Sequence, residues 1–381
     1  MAETSRLKLV FLTSGRFHVF DQVRELIKLG HDVTVYTLAP LGSAKQFGVP
    51  AENHVWLAPR IPIRMALFML LRKTSLSKWA YLMINDALDK KMARIMPEAD
   101  AFISMSGMCR YSLKAARSKG IMTILQRSSR HIQSQAEILN SLPGGEKVAP
   151  QDIERELEEY EITDYITVLS QHSVDSFVER GVPAGKLFKL LAGVELKQFL
   201  FSKTETSHPP TIIFAGTWGM QKGCDLLLDA WRKLKHARWD DLRLMHVGDR
   251  GDLGYPIDKG FMHVERVDQT ELPEYYQHSD VFCLASRQDG FGVVLLQALA
   301  CGLRVVCSDR TGGPDILNEI GDNEAVYVFK SGDVGQLAKK LERALEKSLE
   351  TGHIDLLGAK RDKFTWKAHA QSLADFVQAH R

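Results

Sequence analysis

Between Ser286 and Ile316 the chain reads SRQDGFGVVLLQALACGLRVVCSDRTGGPDI, an order of elements that few folds accommodate. A polar turn, Gln288-Asp289-Gly290-Phe291-Gly292, opens into an unbroken helical run, VVLLQALA. Gly302 stops that run, the strand pattern Leu303–Cys307 follows, and a second turn, Thr311-Gly312-Gly313, closes the stretch. A short apolar strand without polar alternation is covered on both faces, as in a parallel α/β sheet. The first turn places small residues at a helix N-terminus, where unpaired N–H groups and the positive end of the helix dipole suit an anion. Gln297 lies eight positions after Asp289, about two turns along nearly the same face. The two side chains could grip two parts of one elongated polar ligand. An ordinary strand–loop–helix turn explains the same residues without any ligand.

The same grammar recurs along the chain. Leu7–Leu12 is a buried strand, Gly15-Arg16-Phe17-His18 a turn, Val19–Leu29 an amphipathic helix stopped by Gly30, and His31–Leu38 a second strand. Strands at Ala101–Ser104, Ile121–Leu125 and Tyr165–Ser170 continue the series, with helices at Tyr111–Lys119, Asp152–Tyr160 and Val174–Arg180. After Pro143-Gly144-Gly145, read as a loop, and the polar stretch Lys203–Pro210, read as a linker, the pattern restarts. Strands fall at Thr211–Ala215, Leu242–Val247, Phe261–Val264, Val281–Leu284 and Tyr327–Phe329, and helices at Cys224–Leu234, Glu271–His278, Val334–Glu346 and Phe364–His380. At 381 residues this makes two domains, not one. No full GxGxxG fingerprint follows the first strand, which counts against an oxidoreductase.

Charge separates the halves: residues 1–150 hold 21 Lys+Arg against 11 Asp+Glu, whereas 201–381 hold 23 against 26. A basic first lobe implies an anionic partner, a membrane surface or an acidic acceptor. The segment Pro59–Tyr81 concentrates that character, interleaving Arg60, Arg64, Arg72, Lys73 and Lys78 with Leu, Met and Phe. Its apolar run is too short to span a bilayer. It is either a domain helix with an apolar core face or a segment lying in a membrane interface. The five cysteines form no CxxC pair and read as reduced, buried thiols, with no zinc site indicated, and MAETSRLKLVFL does not read as a secretory signal.

Polar residues crowd the end of the Ile121–Leu125 strand, Gln126-Arg127-Ser128-Ser129-Arg130-His131, where α/β folds place ligands. Arg127 and Arg130 suit a phosphate, and His131 suits proton transfer or a sugar hydroxyl. His18, in the turn after the first strand, either lines the same cleft or packs the helix start.

The stretch Asp289-Gly290-Phe291-Gly292 with Gln297 resembles the donor-site signature of family 4 of the retaining glycosyltransferases, two glutamates eight positions apart flanking Gly-Phe-Gly. In that family the first acid faces the transferred sugar and the second holds the ribose hydroxyls. Asp289 and Gln297 take those places here, with one methylene less reach and an amide in place of a carboxylate. Gly216–Gly223 is similar to the family's Gly-Arg-x4-Lys-Gly loop. Lys222 matches, while Thr217 replaces the arginine and leaves Arg310 or Arg287 to supply a second phosphate cation. Relatives carry a histidine after the Ile121–Leu125 strand that contacts the sugar. Strand register gives that slot to Arg127, and the wording Arg-x-Ser-x-His gives it to His131, the preferred choice. The stretch Phe188–Glu195 is similar to the family's inter-domain junction.

The resemblance implies an α/β fold of two doubly wound Rossmann-like domains facing across a cleft, the GT-B arrangement. Residues 1–200 would bind the acceptor, residues 205–364 the donor, and a helix over about 365–381 would pack back on the first domain. It implies catalytic roles for His131, Asp289 and Lys222. Donor contacts would come from Gly216, Thr217, Lys222, Arg266, Asp289, Gly290, Phe291, Gly292, Val293 and Gln297, and acceptor contacts from His18, Arg127 and Arg130. The implied activity is retaining transfer of a sugar from a UDP- or GDP-sugar to a glycan or lipid-linked acceptor, in cell-surface polysaccharide or glycolipid synthesis. No metal or other cofactor and no nucleic acid is implied, and the expected location is the cytoplasm, peripheral on the inner face of the membrane. The departures at Thr217, Asp289 and Gln297 leave open a non-catalytic nucleotide-sugar-binding relative, and epimerisation or phosphorolysis within the same fold.

Overall fold

The computed structural model describes residues 6–144, 147–202 and 208–381. Most of the linker read at Lys203–Pro210, the Gly145 end of the loop before it and the first five residues lie outside them.

The first domain begins with β1 (Lys8–Thr13), α1 (Val19–Lys28), β2 (Asp32–Thr37), α2 (Leu41–Gln46) and β3 (His54–Trp56). Two helices follow, α3 (Pro62–Leu71) and α4 (Ser77–Ile95), then β4 (Ala101–Met105), α5 (Arg110–Ser118) and β5 (Met122–Arg127). It closes with α6 (Ile132–Ser141), α7 (Pro150–Ile162), β6 (Tyr165–Val168), α8 (Gln171–Val178) and β7 (Leu187–Lys189). The second domain runs β8 (Thr211–Ala215), α9 (Cys224–Ala237), β9 (Arg243–Val247), β10 (Phe261–Val264) and α10 (Leu272–Gln277). Then come β11 (Val281–Leu284), α11 (Val293–Ala300), β12 (Arg304–Ser308), α12 (Gly313–Ile320), β13 (Val326–Phe329), α13 (Val334–Thr351) and α14 (Trp366–His380).

Both sheets are parallel, ordered β3-β2-β1-β4-β5-β6-β7 and β10-β9-β8-β11-β12-β13. The direction of strand addition reverses between β1 and β4 and again between β8 and β11. At such a reversal the loops leaving adjacent strands part and form a crevice. Central strands are buried on both faces, as in β8 and β12, which explains their unbroken apolar character. The short strands β3 and β7 lie at the sheet edges and escape the periodicity reading, being three residues each.

The domains are joined twice. Val194 bridges Thr365, its N–H bonding Phe364 O at 2.8 Å, and a Cβ on Gly193 would meet Trp366 at 2.7 Å. Beyond this crossing α14 returns to the first domain, where Ala370, Leu373, Ala374 and Val377 join the core over β1, β2 and α1. A fifteen-residue helix is marginal alone, so burial holds it, at roughly 1.5–3 kcal/mol for each of Leu373 and Val377. All five cysteines are buried and free.

Candidate active site

On the second domain the site is built from two glycine turns at the β8/β11 reversal. The turn after β8 lets the backbone pack tightly: Gly223 has φ +67°, and a Cβ there would lie 2.0 Å from Ala285 O. Lys222, just before α9, is thereby aimed at the loop after β11, where its Nζ donates to Asp289 Oδ2 at 2.5 Å. Burial opposes both charges, yet the pairing prevails, holding Asp289 below the usual carboxylate range and Lys222 above its ordinary value. Asp289 Oδ1 also accepts from Phe291 N at 3.3 Å, and Asp289 N donates to Arg310 O at 3.0 Å. Phe291 is fully buried and fixes the turn, because Gly312 lies so close that a Cβ would enter the Phe291 ring. Gly292, at φ +78°, starts α11, which carries Val293 at its first position and the buried Gln297 further along.

The two arginines left to replace the missing one differ sharply. Arg287 is committed, with Nη1 and Nη2 each 2.6 Å from the Asp225 carboxylate. Arg310 is half-buried and forms no salt bridge among the described residues. Thr217 is exposed beside Gly216, whose carbonyl accepts from His246 Nε2 at 2.8 Å. His263 Nδ1 lies 3.0 Å from His246 Nδ1, so these histidines brace the turn from beneath. Arg266 is far out on the rim, 78% exposed, and loosely paired with Asp249 at 3.5 Å.

The first domain meets these turns directly. A Cβ on Gly290 would lie 1.7 Å from Ser128 O, Ser170 Oγ donates to Gly290 O at 2.7 Å, and Gln288 Nε2 donates to Ser129 Oγ. Asp315, buried at the start of α12, accepts from Gln171 N at 3.0 Å and from Lys189 Nζ at 2.8 Å. The cleft is closed at this seam. A depression of about 700 Å³ lies instead beside the hinge, between Arg24, Glu195, Arg361 and Trp366, away from the glycine turns.

The first-domain residues read from sequence scatter. His131 caps α6, its Nδ1 accepting from Gln133 N at 3.3 Å, with its ring packed about 5 Å from Tyr160 and Phe177. Burial, then the charges of Arg180 and Arg127, push its pKa down to about 4. Arg127 is engaged within the first domain: Nε meets Glu156 Oε2 at 3.2 Å and other guanidinium atoms reach Gln135 and Ser106. Arg130 differs. It is 5% exposed, its Nε has no hydrogen-bond partner, and burial together with nearby Arg310 presses its pKa down. Arg130 and Arg310 thus set two cations near one another, and the Arg310 backbone carbonyl accepts from Asp289 N.

His18 lines the floor of the cleft with Gln126 and His369. Its ring stacks on Trp366 at 6.2 Å, and burial lowers its pKa against the hydrogen bond of Gln126. Gln126 Nε2 donates to Gln22 Oε1 at 3.0 Å, and Gln22 Nε2 lies 2.6 Å from His369 Nε2. His369 Nδ1 lies 2.7 Å from Leu191 O and must donate to it, so Nε2 accepts and the ring is neutral. Burial pushes its pKa down to about 3. Sequence reading passed over His369; only its place in an amphipathic tail marked it. Gln126 stood in a polar run at a strand's end, a usable signal.

The family described as glycosyl transferases group 1 matches residues 209–347. The second domain belongs to that family. The glycosyltransferase domain therefore contains Lys222, Asp289, Gln297 and Arg310. Over 166 residues the chain is 31% identical to sulfoquinovosyl transferase SQD2 of Arabidopsis thaliana, covering 42% of this chain and 31% of that protein. It is 23% identical over 249 residues to the GDP-mannose-dependent alpha-(1-6)-phosphatidylinositol monomannoside mannosyltransferase of Mycolicibacterium smegmatis, covering 57% and 63%. The chain thus spans between about a third and two thirds of the length of these relatives. In fold, HepE from Anabaena, solved with UDP and glucose, aligns over 98% of this chain and 100% of its own, at TM-score 0.69 and 14% identity. Sucrose-phosphate synthase from Thermosynechococcus elongatus aligns over 98% and 99%, at TM-score 0.65 and 16% identity. The glycosyltransferase domain and its partner are two facing Rossmann-like domains of the GT-B kind.

Proposed function

We propose that the chain is a retaining glycosyltransferase that takes a sugar from a nucleoside diphosphate and passes it to a glycan or lipid-linked acceptor. The observation that carries this reading is the Lys222–Asp289 pair, held by two glycine turns at the strand-order reversal and facing the first domain. The domains part to admit donor. Lys222 then exchanges Asp289 for the diphosphate, and the carboxylate is released to the hydroxyls of the sugar. Arg310 takes the place of the family arginine replaced by Thr217, with Arg130 behind it across the seam. Gln297 accepts and donates to the ribose diol. Positive charge and the α11 N-terminus oppose the charge developing on the leaving diphosphate, so the step needs no metal. The bond from the sugar's anomeric carbon to the diphosphate oxygen breaks, and the acceptor oxygen bonds that carbon on the same face. The acceptor's proton passes to a diphosphate oxygen. The acceptor lies against His18, Gln126 and His369 at a membrane surface touched by the basic first domain. Relatives named for GDP-mannose and solved with UDP support a nucleotide-sugar donor and leave both bases in play.

A second reading, a nucleotide-sugar-binding protein without catalysis, is favoured by the departures at Thr217, Asp289 and Gln297. Thermal unfolding against UDP, GDP and their sugars separates the two when paired with donor turnover. A ligand bound only by the folded state at roughly 100 times its Kd adds about 2.7 kcal/mol. Stabilisation by one nucleotide, lost in Lys222→Ala and accompanied by donor cleavage, is expected. Stabilisation without cleavage in the presence of acceptor extracts means a binding protein, and no shift with any nucleotide defeats both readings.

A further inference from the structure

The helix α3 breaks the ordinary rule of globular surfaces. Eight of its ten residues, PIRMALFMLL, are apolar apart from Pro62 and Arg64, yet none is buried. Its inner face, Met65 and Phe68 with Ile61 before it, packs partly on the first-domain core. The outer face leaves Ile63 82% and Leu70 72% exposed, with Met69 also exposed. Leu76, Trp79 and Tyr81, from the following turn and α4, extend the patch. A helix apolar all round normally lies in a core or against lipid. Contiguous exposed apolar surface of this kind marks an interaction site. Ten residues span about 15 Å, half the thickness of a bilayer core, so such a helix lies in the interface plane.

Charge identifies the partner. From Asn53 to Asn85 the chain holds Arg60, Arg64, Arg72, Lys73 and Lys78 and no Asp or Glu. Behind the start of α3, against α4, lies a pocket of about 340 Å³ lined by Arg60, Arg64, Asp86, Lys90, Lys91 and Arg94. Its single carboxylate is already engaged, Asp86 lying 2.7 Å from Lys90 Nζ and 3.3 Å from Arg155 Nη2. Arg60, Arg64, Lys91 and Arg94 form no salt bridge among the described residues. A second copy of the chain would set these cations against themselves.

We propose that the α3–α4 face docks on an anionic bilayer, with Ile63, Met69, Leu70 and Trp79 entering the acyl boundary and the Arg60–Arg64–Lys91–Arg94 pocket taking a lipid headgroup phosphate. Apolar insertion and headgroup charge together supply the two signals that stable peripheral attachment needs. The site lies on the first domain and is independent of donor binding.

The test is flotation of the full chain with vesicles of phosphatidylcholine alone or mixed equally with phosphatidylglycerol, in low and high salt. The wild type is expected to float with the mixed vesicles in low salt and to remain below with the neutral ones. Loss of two cations in Arg64→Ala/Arg94→Ala lowers partitioning roughly 30-fold, at about a factor of five for each charge near an anionic surface. Ile63→Ser/Leu70→Ser lowers it by roughly tenfold or more for each side chain withdrawn from the acyl boundary. Trp79 emission shifts to the blue with mixed vesicles, a change absent from Trp79→Phe. These side chains are exposed, so unchanged thermal unfolding of each variant confirms an intact fold. Absence of flotation, equal flotation with neutral vesicles, or undiminished flotation of either double variant overturns the proposal. Because no donor is present, none of these outcomes bears on the nucleotide-sugar reading.

Discussion

The turn carrying Asp289 and the turn carrying Arg127 to His131 face one another across the cleft, and they obey different rules. In the first, the glycines leave no room for alternatives: Gly223 and Gly290 are pressed against backbone, Gly312 against the Phe291 ring, and Gly292, at φ +78°, against the Leu284 side chain. The polar residues between them point where the backbone directs. In the second, the strand end is followed by residues with long side chains and a choice of partners. Glu156 captures Arg127, and Tyr160 and Phe177 capture His131, while Arg130 remains unpaired at Nε. A site written in glycine spacing is read from sequence with side-chain directions included. One written in long polar side chains is read only as a location.

The largest expected effect breaks the first turn: Lys222→Ala should cost about 10²–10³-fold in kcat/KM for donor, measured by release of the nucleoside diphosphate. Next, Gly290→Ala puts a methyl group into Ser128 and holds the domains apart. A displacement of about 1 Å costs on the order of 10²-fold, so kcat should fall while thermal unfolding stays near wild type. The two arginines sharpen the contrast further. Arg310→Ala should weaken donor affinity by about 10–100-fold, the worth of a charged hydrogen bond. Arg287→Ala should instead cost about 1 kcal/mol of stability from a partly exposed pair and little affinity. Equal effects of the two would remove the assignment of Arg310.

The first domain gives a pH signature. His131, His172 and His369 have folded pKa values near 4, 4 and 3 against 6.5 ordinarily, each lowered first by burial. Below pH 6.5 each of these three groups binds more protons in the unfolded chain than in the folded one, so the stability they contribute is full above that pH and declines as pH falls towards 4, partly offset by the buried carboxyls of Glu159 and Asp89, raised to about 8 and about 6. The midpoint of thermal unfolding should follow, and His369→Gln should flatten its slope by removing one of the three. The smallest effect belongs to His131→Phe, which keeps the aromatic packing. Stability should change by less than about 1.5 kcal/mol, with turnover within a few-fold of wild type. A hundredfold loss of turnover in a folded protein would return His131 to the substrate.

The strands at the centre of both sheets and the glycine-turn helices are legible in the chain because local sequence pattern dictates them. Apolar runs specify buried parallel strands, and glycine is compulsory where backbones touch. Sequence left Pro59–Tyr81 undecided between core and interface, since a periodic pattern gives a helix without saying what covers it. It left Arg287 and Arg310 undecided for the same reason. Tertiary structure alone set Asp225 against Arg287, turned His131 into the core, carried His369 some 240 residues from Gln126 back to its side, and left α3 uncovered. Those outcomes depend on contacts between segments far apart in the chain, and the free energy of such contacts is not a property of any one segment.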